Sequence, residues 1–227
     1  MEFKLIIHRR KWELLIANSL IFFILNPSLL LAQNFSISAG LGLSYYTTPS
    51  LVHYLNFLGA TSSTSGSFTS AGEFFGRGDC LIASDWTVGV ELAYLSQNYT
   101  TGYGGQVSYS YTMPTVTIHK LFYGDGFFLR YGGGIGYHFG SLSVPVLPGG
   151  TADYFSKGMG IKADMSLDTK LGTSLYALIG FQIRGEFLGN LKDSSGQQLR
   201  YTDNYGIHPT NMYLSGIGVL LGLSYYF

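Results

Sequence analysis

Charge is scarce in this sequence. Of 227 residues, 13 are Lys or Arg and 13 are Asp or Glu, together 11% of the chain, against about 25% in an ordinary soluble domain. So little charge cannot cover a surface that faces water on all sides. Cysteine is nearly absent as well. Cys80 stands alone, which excludes an internal disulfide framework and a multi-cysteine metal site. Neither sign of charge is in excess, so the basic stripe that a nucleic-acid partner requires is missing. After residue 32 there is no long apolar run, and mean hydropathy is only +0.21, too low for a bundle of membrane helices. What is present is 31 Gly, 18 Tyr and 16 Phe, with 46% of residues hydrophobic, a composition that also argues against disorder. A hydrophobic chain without hydrophobic runs needs its apolar residues dispersed in a regular pattern.

The first 32 residues read as an export tag. Lys4, Arg9, Arg10 and Lys11 precede an apolar stretch from Leu14 to Ala32, densest at Leu20 to Leu25. A basic head, an apolar middle and a small residue before Gln33 form the layout of a secretory signal peptide. The rival is an uncleaved anchor helix, which Asn18, Ser19, Asn26, Pro27 and Ser28 interrupt. The expected division is a signal peptide over 1–32 and one barrel domain over 33–227. Without the tag, 9 basic and 11 acidic residues remain.

From residue 35 onward the pattern has period two. Phe35, Ile37, Leu41, Leu43 and Tyr45 alternate with Ser36, Ser38, Gly40, Gly42 and Ser44. Side chains on a strand alternate between two faces, so this is how a barrel wall in lipid reads. The alternation recurs over 72–82, 86–95, 107–122, 127–139, 158–167, 173–187 and 212–227, which predicts eight strands. Of these, 107–122 is the least regular, with Val116 and Ile118 outward and Thr115, Thr117 and His119 inward. Long connections over 46–71, 96–106, 140–157 and 188–211 alternate with short ones over 83–85, 123–126 and 168–172 that carry turn residues. The fold class expected is all-β: an eight-stranded antiparallel up-and-down transmembrane β-barrel, with both termini on the side of the tight turns.

Parity sorts the charges. Glu73, Arg77, Asp79, Glu91, Arg130, Lys162, Asp164, Arg184 and Glu186 all fall in predicted strands on the face opposite the apolar one. Asp153, Lys157, Lys192, Asp193, Arg200 and Asp203 fall in the long connections, and Asp85, Lys120, Asp125, Asp168 and Lys170 flank the short ones. A Lys or Arg facing lipid at mid-membrane costs about 2–4 kcal/mol, so an apolar face without charge is what a bilayer imposes. Aromatic residues such as Trp86, Tyr94, Phe139 and Tyr213 lie near strand ends on that face, where a membrane interface favours them.

The final strand, Gly218 to Phe227, alternates apolar residues up to a terminal Phe, and Phe128 to Tyr137 forms a second such strand. On these residues the chain resembles the small OmpA/OmpX-like outer-membrane β-barrel proteins, the porin family of Gram-negative-type bacteria. The resemblance implies a monomer in the bacterial outer membrane, with outer-membrane lipid around it. It also implies Leu223, Tyr225 and Phe227 as the signal read by the barrel-assembly machinery. It is nearly silent on activity, because one fold hosts many functions.

An eight-stranded barrel is only wide enough for side chains to fill it, so the nine inward charges are expected to pair into a packed salt-bridge core; a narrow pore for small solutes is the alternative. Inward glycines make room for Phe75, Phe128, Tyr176 and Tyr226. A lipid A-modifying enzyme would need His, Ser and an acid near the rim, for which His138, Ser141 and Asp153 are the candidates. Their H-x-x-S spacing departs from the H-x-S-N of the deacylases, and barrel proteases have ten strands. The expectation is no enzyme, no metal and no cofactor. Loop recognition of an extracellular ligand is the remaining partner. In the first loop, the apolar stretch with Leu51, Tyr54, Phe57 and Leu58 reads either as a contact site or as a flap over the barrel mouth. The role expected is envelope integrity or adhesion.

Overall fold

The computed structural model describes residues 35–57, 70–100, 105–146, 150–203 and 206–227. The expected signal peptide, and Leu58 in the first loop, lie outside them. The strands are β1 (Phe35–Thr47), β2 (Ser70–Ala83), β3 (Trp86–Thr100), β4 (Gln106–Gly124), β5 (Phe127–Pro145), β6 (Thr151–Lys170), β7 (Leu175–Asn190), a short hairpin of β8 (Arg200–Asp203) and β9 (Gly206–Pro209), and β10 (Asn211–Tyr226). One helix, α1 (Pro49–Phe57), follows β1. Eight strands close into an antiparallel barrel in the order β1-β10-β7-β6-β5-β4-β3-β2. The seam pairs Ser36 with Tyr226 and Thr47 with Ser215. All eight predicted strands are present with the predicted parity.

The strands are longer than predicted. A membrane strand needs about 9–11 residues, yet β6 has 20 and β4 and β5 have 19 each. Most of the expected connections 96–106 and 140–157 are therefore barrel wall, and the 188–211 connection contains the β8–β9 hairpin. The reason lies in a reversal of polarity along each strand. Over 114–122 the outward residues of β4 are apolar, with Val116 and Ile118 exposed, except Lys120, which stands near the turn end and pairs with Asp85 at 3.5 Å. Over 107–113 the inward ones are: Val107, Tyr109, Tyr111 and Met113 are buried while Ser108, Ser110 and Thr112 face out. In β5, Ile135, Tyr137 and Phe139 face out, but higher up Leu142 and Val144 face in, with Ser141 and Ser143 outside.

The barrel thus has two storeys. The lower one, nearest the tight turns, has an apolar exterior and a charged interior, the arrangement that lipid imposes. The upper one has an apolar interior and a hydroxyl-lined exterior, the arrangement that water imposes. Two charges expected in a loop, Asp153 and Lys157, stand on the outer face of β6 in this upper storey. One expected beside a turn, Asp168, is fully buried in the lumen. The parity of β6, which sends Lys162, Asp164 and Ser166 inward, carries Asp168 with them.

Candidate functional site: the charged lumen and its cap

Ten charged side chains fill the lower lumen, the nine expected and Asp168. Nearest the turns, Phe128, Tyr176 and Tyr226 pack ring to ring at 4.7–5.0 Å between centroids. Arg130 donates to the Tyr226 hydroxyl and, at 2.5 Å, to Asp79, and pairs with Asp168 at 3.6 Å. Ser224 donates to Asp168 at 2.6 Å and meets Ser38 at 2.9 Å. Farther in, Arg77 bridges Asp79 at 3.1 Å and Asp164 at 3.2 Å, while the Lys162 ammonium sits 2.7 Å from both oxygens of Glu91. Arg184 and Gln182 each donate to Glu73 at 2.7 Å, as does Ser44. Pairing at this density is what a charge removed from water requires.

Two histidines complete the set. His119 Nε2 lies 3.0 Å from Asp164. His138 binds Glu186 through Nδ1 and Thr115 Oγ1, at 3.1 Å, through Nε2. Gly160 lies against the His138–Glu186 pair, so any side chain there would collide with it. Gly40 does the same for Phe75, whose ring lies 2.8 Å from where a Cβ would be. Thr115, His138 and Glu186 follow the hydroxyl–imidazole–carboxylate order of a nucleophile relay. All three are buried, however, and Thr115 lies below Met113 and Tyr111 on the inward face of β4. The expected trio of His138, Ser141 and Asp153 is not assembled. Ser141 points outward to Ser110 at 2.9 Å, and Asp153 accepts from Ser143 on the same outer face.

The upper storey seals the lumen. Tyr46, Leu95, Tyr109, Tyr111, Met113, Leu188 and Met212 form one buried cluster, with Leu191 and Leu199 from the loop above β7. The Tyr46 and Tyr109 hydroxyls bond to each other, and both reach Gln97 Oε1. Helix α1 lies on top. Leu51 and Tyr54 are buried in the same cluster, which corrects the contact-site reading for these two: their apolar surface is spent on the barrel mouth, as a flap. The side chain of Phe57 lies outside the described residues, as does Leu58. Burial, with Tyr154 nearby, pushes the Tyr54 phenol up to about 12. Above β7, Asp193 accepts from Ser195 N and Oγ and from Gln197 N, at 2.7–2.9 Å, which holds its carboxyl below the usual range.

Outside the upper storey, Asn98, Ser108, Ser143 and Asp153 stand in one cross-strand row, and Ser96, Ser110, Ser141 and Phe155 in the next. A groove of about 330 Å³ runs over them, with Tyr94 at its edge. The residues that sequence reasoning missed are Asp168, Thr115 as a partner of His138, and this apolar cap. The signal for the cap was present, in the odd positions Val107, Tyr109, Tyr111 and Met113.

No family model matches this chain, and no curated protein sequence matches it. Solved structures do. Ail, the attachment invasion locus protein of Yersinia pestis, was crystallised with the heparin analogue sucrose octasulfate; it aligns with a TM-score of 0.50 and 14% identity, over 86% of this chain and 98% of its own. Neisserial surface protein A aligns with a TM-score of 0.52 and 12% identity, over 85% and 97%. The chain has the fold of the small eight-stranded outer-membrane barrels. One expectation is corrected. The outer membrane protease OmpT of Escherichia coli also aligns, with a TM-score of 0.41 and 13% identity over 86% and 97%. The outer-membrane barrels that align with this chain include an enzyme, so the exclusion of catalysis is withdrawn, although so loose an overlap carries no proteolytic chemistry to this chain.

Proposed function

We propose that this chain works at the bacterial outer membrane as a closed barrel acting through contacts of its extracellular storey, in adhesion or envelope integrity. On this reading residues 1–32 are removed on export, and the barrel-assembly machinery reads Leu223, Tyr225 and Phe227. The observation that carries the proposal is the cap. A lumen filled with paired charges and covered by Tyr46, Tyr109, Tyr111, Met113 and Met212 offers a solute no polar path, which weighs against the narrow pore. The groove over Ser108, Ser110, Ser141 and Ser143 supplies hydroxyls at strand spacing beside the rings of Tyr94 and Phe155, a pairing suited to a sugar. The sulfated sugar analogue held by Ail supports the same ligand class here.

Intact cells displaying the barrel are compared on heparin-coated and uncoated surfaces, with purified protein in planar bilayers as the second arm. The expected result is retention on heparin, reduced by Ser110→Leu with Ser141→Leu, and no discrete conductance. Discrete ion conductance from the wild type, together with unchanged retention of the double variant, would sink the reading.

A further inference from the structure

A cavity of about 390 Å³ lies at the turn end of the barrel, from Gly124 and Gly126 at its outer edge to Asp79 and Thr87 at its inner end. That volume falls within the range of small-molecule sites. Its walls are the rings of Tyr123, Phe128 and Tyr176.

The inner end is polar and lacks partners. Thr87 is 5% exposed, and its Oγ1 makes no hydrogen bond. Asp79 is 1% exposed; Arg77 and Arg130 engage its Oδ2, but Oδ1 makes no hydrogen bond. His119 Nδ1, 4.0 Å from that Oδ1, makes none either. Buried polar atoms are rarely left so. Two of them, Asp79 Oδ1 and Thr87 Oγ1, belong to the cavity wall and mark the place of a missing group, with His119 behind that wall. A carboxylate oxygen only accepts. The missing group is therefore a donor to Asp79, and the Thr87 hydroxyl is free to accept from it as well.

Its charge follows from the lumen. Six buried carboxylates, Glu73, Asp79, Glu91, Asp164, Asp168 and Glu186, face four fixed cations, Arg77, Arg130, Lys162 and Arg184. A positive group at Asp79 offsets part of that excess, and aromatic walls favour a cation too. Gly89 contributes by having no side chain: a Cβ there would collide with Asp79 Oδ1. Lys170 stands at the outer edge and repels a second positive charge.

We propose that this cavity binds a small molecule with one primary ammonium on an apolar stem, the ammonium donating to Asp79 and Thr87 and the stem lying along the rings of Tyr123, Phe128 and Tyr176.

The test uses the full barrel in detergent micelles, titrated with n-hexylamine at neutral pH, with empty micelles as the blank. Hexan-1-ol and 1,6-diaminohexane are the comparison ligands, and binding is followed by calorimetry. The expected result is saturable binding of one hexylamine per barrel, with hexanol and the diamine each about tenfold weaker or more. Thr87→Val, close to isosteric, weakens hexylamine several-fold and Asp79→Asn about tenfold. Heat-modifiable migration in gels verifies folding. Should Asp79→Asn not fold, Thr87→Val decides the matter alone. Hexylamine binding no tighter than hexanol, binding unchanged in Thr87→Val, or no binding beyond the blank overturns the proposal, the last leaving water as the occupant.

Discussion

Lys162 on β6 places its ammonium 2.7 Å from each carboxylate oxygen of Glu91 on β3, with β4 and β5 between them in the wall. The pair ties opposite sides of the lumen, and both side chains are out of contact with water. Replacing Lys162 with Met leaves Glu91 buried with Arg77, at 3.9 Å, as its nearest cation. The expected cost is about 3–5 kcal/mol. Removing both charges, as in Lys162→Met with Glu91→Leu, is expected to recover most of it. Urea unfolding in micelles, followed by heat-modifiable migration, measures both.

The two storeys predict opposite responses to one substitution on one face of one strand. Ile135→Arg on the outer face of β5 places charge in the apolar belt and is expected to cost about 2–4 kcal/mol. Ser143→Arg, on the same face eight residues farther along, lies on the hydroxyl-lined upper wall and is expected to change stability by no more than about 0.5 kcal/mol. Equal losses at the two sites would contradict the placement of the membrane boundary between them.

Tyr54 gives the cap a pH limit. An unfolded tyrosine ionises near about 10, and in the cap its phenol is pushed up to about 12. The docked helix therefore favours the neutral phenol. The stability this provides is complete below about pH 10 and falls as pH rises toward 12. Protease cleavage within α1 is expected to accelerate across that window in the wild type, and less steeply in Tyr54→Phe.

Phe227 closes the seam. Its N–H donates to Phe35 O at 3.0 Å, and its ring packs with Tyr225 at 4.9 Å and Phe35 at 5.7 Å. Deleting Phe227 is expected to abolish the compact, heat-modifiable form in isolated membranes. Normal assembly of the deletion would remove the terminal aromatic from the assembly signal.

The lower storey was legible because a membrane enforces one rule along every strand. Ile161, Ala163 and Met165 face lipid while Lys162, Asp164 and Ser166 face inward, and period two reports both at once. The upper storey was not legible, because the rule inverts within a continuous strand. On β4 the apolar residues change from odd to even positions at Pro114, although the backbone parity is unbroken, so 107–122 looked the least regular of the strands, and the upper parts of β3, β5 and β6 looked like loop. Asp168 was missed for a simpler reason. Strand β6 runs to Lys170, three residues beyond where turn residues suggested an end. The partners Thr115 and His138 sit 23 residues apart on neighbouring strands, and their meeting depends on a register that a single sequence does not reveal.

The length of β6 has a further consequence, for altitude. Subtracting the roughly 10 residues a bilayer requires leaves about 10 of its 20 above the lipid, and at about 3.3 Å per residue with a tilt near 40° they lift the mouth by about 25 Å. The flap and hairpin ride on a rigid parapet rather than on slack chain. Whatever they meet is met beyond the headgroup layer, at a height fixed by hydrogen-bonded wall.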